Sequence, residues 1–502
     1  MNFTLLDWAI VVAYLTVTMA AGLAGRKYVL GLADFLVAGR QLRAHLGIAT
    51  LAATEIGTIT FMYYAELGYK TGFASFVNGL IAGGVMIFLG RTGFMIHKLR
   101  ESGIMTVPEY FERRYSRRLR LLTGVLVAVG GILNMGVFLR VEGTFLTIIA
   151  GLPLDYLKIT MTVILLLELV YTVLGGMVSV VITDFIQFVM LSIGTILITI
   201  YAVYTVGWTP MHDAVAHTMG AAGFDPFLNP EYGAGYILFQ ILLWLSVDTC
   251  WQTTAMRTFS TRDPETSKKV FFWTGFIFLG RGMMPMLWGI AALAYFGPGQ
   301  DSLQAMPQMI ARILPSGILG LVVAGMLAAT MSVNSSYLLG WSSVIAQDII
   351  APARSKPLSP RAQVVVNRLT NLFVSLFVLF WGVWYTLPGP VWFYLNMTGT
   401  IFLAGAFAAF VAGFFWKRAN TAGGYCAMLF GAMGSIGFFF FKVPTSYAGL
   451  GSFILAAAGM VLGSLLFGKR TQDGVPVAHG AAGGYTVTRG GAVRREGEGG
   501  EV

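Results

Sequence analysis

Long apolar runs recur along almost the whole chain and are separated by short polar stretches. Most runs reach about 20 residues, the length that an α-helix needs to cross the hydrocarbon core of a membrane. The pattern therefore predicts an all-α integral membrane protein with about thirteen transmembrane helices. The predicted segments are residues 5–25, 45–67, 73–96, 119–150, 157–177, 179–206, 233–256, 270–297, 313–347, 366–386, 391–415, 421–441 and 447–467.

Basic residues predict how these helices are oriented. If the amino terminus lies outside, the loops and the tail that fall inside hold 26 of the 33 Lys and Arg residues. The long loop from Gly207 to Tyr232 then falls outside and holds none. Basic residues concentrate on the cytoplasmic side of membrane proteins. We therefore predict a multi-pass protein of the plasma (inner) membrane with its amino terminus outside and its carboxyl terminus in the cytoplasm.

The order of the helices favours an internal repeat. Segments two to six and seven to eleven form two sets of five helices, over about residues 45–206 and 233–415. Because five is odd, the second set starts on the opposite side of the membrane, as in the inverted repeats of many transporters. Peripheral helices complete a transmembrane domain over residues 1–468. Residues 469–502 are poor in apolar side chains, so a disordered cytoplasmic tail is predicted there.

Composition excludes several classes of protein. Only 11% of the residues are charged, against about 25% in soluble proteins, so lipid must be the solvent for much of the chain. The net charge of +10 is explained by helix orientation, and no nucleic-acid partner is expected. The sequence has no phosphate-binding Gly-x-x-x-x-Gly-Lys-Ser/Thr loop and no His/Cys metal motif, so we do not expect an enzyme.

Ionisable residues inside the apolar runs are the first candidates for function. A charge at the bilayer centre costs roughly 2.5–3.5 kcal/mol, so each one needs a functional or a structural reason. The candidates are Glu55, Arg140, Glu142, Glu168, Asp184, Asp248 and Arg281.

Three polar stretches stand out within the predicted helices. Residues 52–60 combine Gly and Thr with Glu55, which allows a helix break whose free carbonyls could bind a hard cation or, equally, a close helix contact. Residues 328–336 place Ser332 and either Ser335 or Ser336 on one helix face, which suits either sodium or interhelical hydrogen bonds. Asp184, in residues 183–187, could supply negative charge to a cation, carry a proton, or pair with Arg281.

Four motifs in order resemble the sodium:solute symporter family, which includes proline, sugar, pantothenate and sialic acid carriers. The resemblance covers residues 5–467 and implies a LeuT-like fold, in which two five-helix inverted repeats surround a site at mid-membrane. The motifs are residues 106–115 (TVPEYFERRY), Gly175-Gly176-Met177 with residues 180–187 (VVITDFIQ), residues 328–348, and residues 413–418 (GFFWKR) with Asn420 and Gly423.

The resemblance also implies two sodium sites. The main site would use the carbonyl oxygens of three residues and one hydroxyl, and these belong to Ala53, Ile56, Ala329 and Ser332. The family usually has Ser or Thr at the next position, where this chain has Val333. Some members have a second site, whose matching positions are Asp184, Ser335 and Ser336. The missing ligand leaves three predictions for coupling: through the second region, through a water that fills the gap, or through protonation of Asp184.

The solute would lie between the broken first and sixth helices of the repeats. The candidates implied for it are Glu55, Gly57, Thr60, Asn78, Arg140, Asp248, Trp251 and Gln252. Arg140 could bind a solute carboxylate or pair with Glu142 or Glu55.

The resulting prediction is a secondary active transporter that couples sodium to a small polar organic solute by alternating access. Sodium is the expected coupling ion, with a proton as the alternative. A proton-coupled or sodium-independent carrier, a channel and a solute sensor are the competing functions. The expected partners are the solute, sodium and the lipid bilayer, and the chain is expected to be a monomer.

Overall fold

The architecture is described from a computed structural model, which describes residues 3–28, 32–354, 358–385, 389–467, 485–487 and 493–495. Within these residues the chain is almost entirely helical. The helices are α1 Leu5–Gly25, α2 Leu32–Val37, α3 Ala44–Glu55, α4 Thr58–Thr71, α5 Phe76–Thr92, α6 Ile96–Glu101, α7 Val107–Arg114, α8 Arg117–Met135, α9 Phe138–Ile149, α10 Leu157–Val206, α11 Trp208–Met219, α12 Gly233–Cys250, α13 Gln252–Ser260, α14 Pro264–Phe296, α15 Ser302–Ile313, α16 Ile318–Val344, α17 Ala351–Ala353, α18 Pro360–Trp384, α19 Val391–Phe415, α20 Thr421–Gly431, α21 Met433–Phe441 and α22 Thr445–Leu466.

Short elements join or extend some of these helices. Turns of 3₁₀ helix lie at Arg26–Tyr28, Ala38–Arg40, Gly72–Ser75, Leu154–Tyr156 and Gly220–Gly223, and a π-helical turn, Ile345–Ile350, joins α16 to α17. In the tail, β1 Tyr485–Val487 pairs antiparallel with β2 Val493–Arg495. The rest of the predicted disordered tail lies outside the described residues.

The predicted membrane helices are present. Eleven stretches in the described part of the chain are long and apolar enough to cross a membrane. One of them, Thr58–Thr92, is divided at Gly72 into α4 and α5. The predicted segment 157–177 is the first arm of α10, which bends at Gly176. With these two divisions, each of the thirteen predicted segments corresponds to one helix or to a consecutive pair.

Lipid and protein surfaces divide the helices as expected for a membrane protein. Large apolar side chains point outwards on peripheral helices, for example Leu5, Phe373 and Leu466, which are 87%, 66% and 70% exposed. In contrast, 89% of the most apolar window of the Ile318–Ala353 stretch is buried. Helix α16 therefore runs through the interior, where it packs against α3, α8, α9 and α10.

Two of the helix breaks in the described residues lie at the site. Between α3 and α4, Ile56 and Gly57 adopt extended backbone conformations. A Cβ atom at Gly57 would lie 2.5 Å from Val333 Cγ2, so only glycine allows the break to sit this close to α16. Between α12 and α13, the break falls at the extended residue Trp251.

Candidate functional site

The break between α3 and α4 lies against the middle of α16. Thr58, the first residue of α4, donates its hydroxyl hydrogen to the Met326 carbonyl at 2.6 Å. The Ala329 carbonyl oxygen also lies beside Gly57. The last carbonyl groups of a helix have no partner in the helix and carry partial negative charge. The end of α3, which includes the fully buried Ala53, therefore has carbonyl oxygens without a partner inside the helix close to this contact.

Asp184 lies next to this helix end and is itself fully buried. Ser332 donates its hydroxyl hydrogen to Asp184 Oδ1 at 2.5 Å, and Thr50 donates to Asp184 Oδ2. The lone pairs of the Ser332 oxygen remain available to a cation while its hydrogen is held by the carboxylate. Val333, the next residue, packs its methyl groups against Gly57 and offers no oxygen.

Arg257 lies where the second sodium site is predicted. Its Nη2 atom donates to Ser336 Oγ at 2.5 Å, to Thr54 Oγ1 at 2.6 Å and to Asp184 Oδ2 at 3.3 Å. The side chain is 1% exposed. Two of the three predicted ligands, Asp184 and Ser336, therefore contact a fixed cation of the protein, whereas Ser335 donates to the Ser332 carbonyl at 3.1 Å.

The predicted alternative that Asp184 pairs with Arg281 is wrong. Arg281 donates to Ser192 Oγ and lies over the Phe188 ring, with its Cζ atom 4.6 Å from the ring centroid. Arg257 was missed because it directly follows an apolar segment and was counted among the basic residues of a cytoplasmic loop. After the break at Trp251 every residue of α13 is buried, so Arg257 lies in the interior and not in an exposed loop.

A cavity opens beside the two breaks and encloses about 660 Å³, counting the part that opens to solvent. Three predicted solute residues line it: Glu55, Thr60 and Trp251. Glu55 accepts hydrogen bonds from Thr254 at 2.7 Å and Thr253 at 3.3 Å. The other lining residues are Thr54, Ile59, Tyr63, Asn134, Phe138, Leu243, Trp244, Val247, Val333, Tyr337, Trp392, Leu395, Asn396, Gly399 and Leu403.

Four other predicted solute residues do not line this cavity. Asn78 accepts a hydrogen bond from the Tyr236 hydroxyl at 2.7 Å, behind the aromatic wall that includes Trp392. Arg140 donates to the Tyr385 carbonyl at 3.3 Å, so its predicted pairing with Glu142 or Glu55 is also wrong. The remaining two face elsewhere. Gln252 accepts from the Val107 amide at 2.9 Å, and Asp248 is buried with neither carboxylate oxygen hydrogen-bonded to the described residues.

The fifth predicted solute residue outside the cavity lining is Gly57, which forms the break between α3 and α4 and contacts α16.

Several residues that line the cavity were not among the predicted solute residues. Asn134 and Asn396 are polar residues within apolar helices, and that exception was the available signal. Tyr337 and Trp392 carried no such signal, because aromatic side chains are as frequent in ordinary packing as in binding sites.

The profile of the sodium:solute symporter family matches residues 35–431, most of the chain. The chain belongs to this family. The predicted membership is therefore confirmed, and with it a multi-pass sodium-coupled symporter rather than an enzyme. Sodium is the coupling ion.

Relatives and solved structures agree with this assignment. The chain is 26% identical to a sodium/glucose cotransporter of Vibrio parahaemolyticus, over 81% of this chain and 79% of the relative. It is 24% identical to the sodium/sialic acid symporter SiaT of Proteus mirabilis, over 92% and 96%. The fold matches a substrate-bound, outward-open Na⁺-coupled sialic acid symporter with a TM-score of 0.80 at 20% identity, covering 93% of this chain and 99% of that one.

A more distant match extends the fold comparison. The transporter MhsT in complex with L-phenylalanine superimposes with a TM-score of 0.54 at 15% identity, over 85% of this chain and 99% of that one. The predicted LeuT-like fold is confirmed by these neighbours.

Proposed function

We propose that this symporter couples sodium to the uptake of a small, neutral, hydroxylated solute. The observation that carries the proposal is the charge of the cavity lining. Glu55 is its one ionisable carboxylate, and none of the lining residues in the described part of the chain is Lys, Arg or His. A carboxylate-bearing solute would meet no partner of opposite charge there and would be repelled by Glu55.

The polar and aromatic lining groups fit a hydroxylated solute. Carboxylate and amide side chains both accept hydrogen bonds from hydroxyl groups, and Glu55, Asn134 and Asn396 supply them. Trp251 and Trp392 add flat apolar surfaces. A few placed polar groups among aromatic walls are the usual composition of a small-molecule site.

The main sodium site is proposed at the break beside α16. Its ligands are the carbonyl oxygens of Ala53, Ile56 and Ala329 and the hydroxyl oxygen of Ser332, with Asp184 holding the hydroxyl hydrogen. The end of α3 contributes both to this site and, through Thr54 and Glu55, to the cavity. Sodium that orders this helix end therefore prepares the solute site, and the solute in turn strengthens sodium binding by the same free energy.

A second candidate function follows from Asp248. Glu55, which lines the cavity, acts electrostatically on this buried carboxyl group, so a second acidic group lies close to Glu55. Acidic groups beside aromatic rings also suit a cationic amine. Uptake of an amine is therefore the alternative to a neutral solute.

The same proposal covers orientation and assembly. Positive charge in the short loops supports an amino terminus outside and a cytoplasmic tail, in the plasma membrane. The repeats over about residues 45–206 and 233–415 and the transport domain over residues 1–468 are kept as proposed boundaries. We also propose that a monomer is the functional unit.

The test is uptake into proteoliposomes that contain the purified protein and carry an inward sodium gradient. A panel of radiolabelled sugars, polyols, amines, amino acids and carboxylates is compared with and without sodium. We expect saturable, sodium-dependent uptake of a neutral hydroxylated compound. Transport restricted to carboxylates would contradict the proposal, and transport restricted to amines would favour the second candidate.

Glu55→Gln sharpens the same experiment. Loss of a hydrogen bond to a charged group costs about 1.5–3 kcal/mol, so the KM for a neutral solute should rise roughly tenfold or more. The matched control is Glu265→Gln, since the Glu265 side chain is 64% exposed and pairs with Lys268 and His97 away from the cavity. An unchanged KM in Glu55→Gln would exclude Glu55 as a solute ligand.

A further inference from the structure

Two glutamates and an asparagine meet where α9, α10 and α16 pack together. Asn334 Nδ2 donates to Glu142 Oε2 at 2.8 Å and to Glu168 Oε1 at 3.1 Å. All three side chains are fully buried. None of them lines the solute cavity. These three residues are called the glutamate cluster below.

The glutamate cluster has more hydrogen-bond acceptors than donors. The Asn334 amide has two N–H groups, and each is used by one glutamate. Among the described residues, nothing donates to Glu142 Oε1, Glu168 Oε2 or Asn334 Oδ1. Buried polar atoms are normally hydrogen-bonded, so three acceptors without a donor in one cluster indicate a ligand that supplies one. A carboxyl group becomes a donor when it takes up a proton.

The charge of the cluster points to the same ligand. The charged group that acts on Glu168 is Glu142, and no basic side chain in the described ranges acts on either one. Two ionised carboxylates in an apolar interior repel each other and lose hydration, so the pair is stable only after one charge is removed. One shared proton removes that charge and needs no additional space.

Several other charged groups on the surrounding helices have their own partners, and Arg368 of α18 does not act electrostatically on either glutamate. Arg140 on α9 binds the Tyr385 carbonyl, and Asp184 on the second arm of α10 binds Arg257. The remaining contacts are Glu66 of α4 with Lys70, Arg312 of α15 with the Phe296 ring, and Asp348 beyond α16 with Arg120. None of these groups acts electrostatically on the two glutamates of the glutamate cluster.

The cluster is connected to the broken helix through Glu142. The backbone amide of Ile59, the second residue of α4, acts on the Glu142 carboxyl group. The first amides of a helix carry partial positive charge and favour a negative group beside them. Ile59 also lines the solute cavity. The charge of the cluster therefore acts electrostatically on the first turn of α4, which also borders the solute cavity.

We propose that Glu142, Glu168 and Asn334 form a proton-binding site in which the two carboxyl groups share one proton. The site is separate from the sodium ligands and from the solute cavity. Its occupancy sets the negative charge beside the first turn of α4, which gives external or cytoplasmic pH a means to tune the sodium-coupled cycle. The inference rests on the cluster itself and holds for any solute.

The test is infrared spectroscopy of the purified full-length protein in lipid nanodiscs, because it needs no solute. Spectra at neutral pH are compared for wild type, Glu142→Gln, Glu168→Gln and the control Glu265→Gln. We expect each cluster variant to lose the carbonyl band of one protonated carboxyl group. The single remaining carboxylate is no longer repelled by a second one, so the shared proton is released. The control should lose only the band of an ionised carboxylate. If both cluster variants lose only an ionised carboxylate band, the proposal is wrong.

Two further measurements keep the proposal open to contradiction. If either Gln variant does not fold, a pH titration of the wild-type band in the same nanodiscs replaces it, and absence of any protonated carboxyl band at neutral pH overturns the proposal. Sodium is then added at constant pH. If sodium removes from the wild-type spectrum the same band that Glu168→Gln lacks, a metal ion occupies the cluster. That result also overturns the proposal. Persistence of the band supports a proton.

Discussion

Helix α16 separates two buried polar clusters that differ in how their negative charge is balanced. On one face, Ser332 and Ser336 meet Asp184 and Arg257. On the other, Asn334 meets two glutamates. Residues two apart point to different sides of a helix, so adjacent sequence positions serve separate clusters. The first cluster contains the cationic guanidinium group of Arg257. Among the described residues, the second consists of two carboxyl groups and an amide.

This difference shows where a mobile ion is required. Arg257 neutralises Asp184 permanently, so the charge of that cluster is balanced in the described residues without any ligand. A sodium ion next to Ser332 then adds to a balanced cluster. In the described part of the chain the glutamate cluster has no such cation, so under the proposal above a proton from solution balances its charge. The predictions below test the contrast, starting with the largest expected effect.

Removal of the fixed cation should have the largest effect. Arg257→Leu leaves Asp184 buried and unpaired, which costs about 3–5 kcal/mol of folding free energy. Thermal unfolding of the detergent-solubilised protein should therefore shift strongly downwards. The double variant with Asp184→Leu should lose less. Arg262→Leu is the control, because its side chain is 60% exposed. Equal unfolding temperatures for Arg257→Leu and wild type would mean that the pair is not needed for stability.

Removal of the shared amide should have a smaller effect. Asn334→Leu deprives both glutamates of a donor, at about 1–3 kcal/mol for each group left unsatisfied. The loss should be larger in alkaline than in acidic buffer, since protonated carboxyl groups can donate to each other. Asn334→Gln keeps two N–H donors and should unfold closer to wild type. If the loss of stability in Asn334→Leu does not depend on pH, the contribution of the amide is independent of any protonation of the glutamates.

Ser332→Ala removes one proposed sodium ligand and should raise the half-saturating sodium concentration for uptake. A hydroxyl interaction contributes about 1 kcal/mol, which corresponds to a shift of roughly fivefold. Asp184→Asn should shift it in the same direction. Ser343→Ala is the matched control on the same helix, since Ser343 donates only to the Gly340 carbonyl. Uptake by both variants that matches wild type across a sodium titration would refute the assignment.

Val333→Thr should have the smallest effect and the opposite sign. Threonine has nearly the shape of valine and restores the hydroxyl group that the family usually has here. The half-saturating sodium concentration should fall by no more than about fivefold, because one neutral ligand contributes about 1 kcal/mol. Val333→Ala shortens the side chain without adding oxygen and serves as the control. The same sodium dependence in both variants would show that this position does not face the ion.

Much of the fold could be predicted because lipid imposes simple requirements. A helix must be about 20 residues long and apolar to cross the membrane, so segment positions follow from the sequence. The break at Gly57 was also predictable, since Gly and Thr beside Glu55 are unusual at mid-membrane. By the same reasoning, Ser332, Asp184 and the two glutamates were recognised as residues that need a partner.

The partners themselves were decided by the tertiary structure. Asp184 binds Arg257, which lies 73 positions away, instead of Arg281, because α13 begins after the break at Trp251 and packs against α3. Arg140 was expected near the solute, but the rotation of α9 directs it to the Tyr385 carbonyl. Sequence determines which side chains cannot remain alone in lipid. The rotation and breaks of the packed helices decide which of them meet, because a side chain's direction changes by about 100° with each residue of a helix.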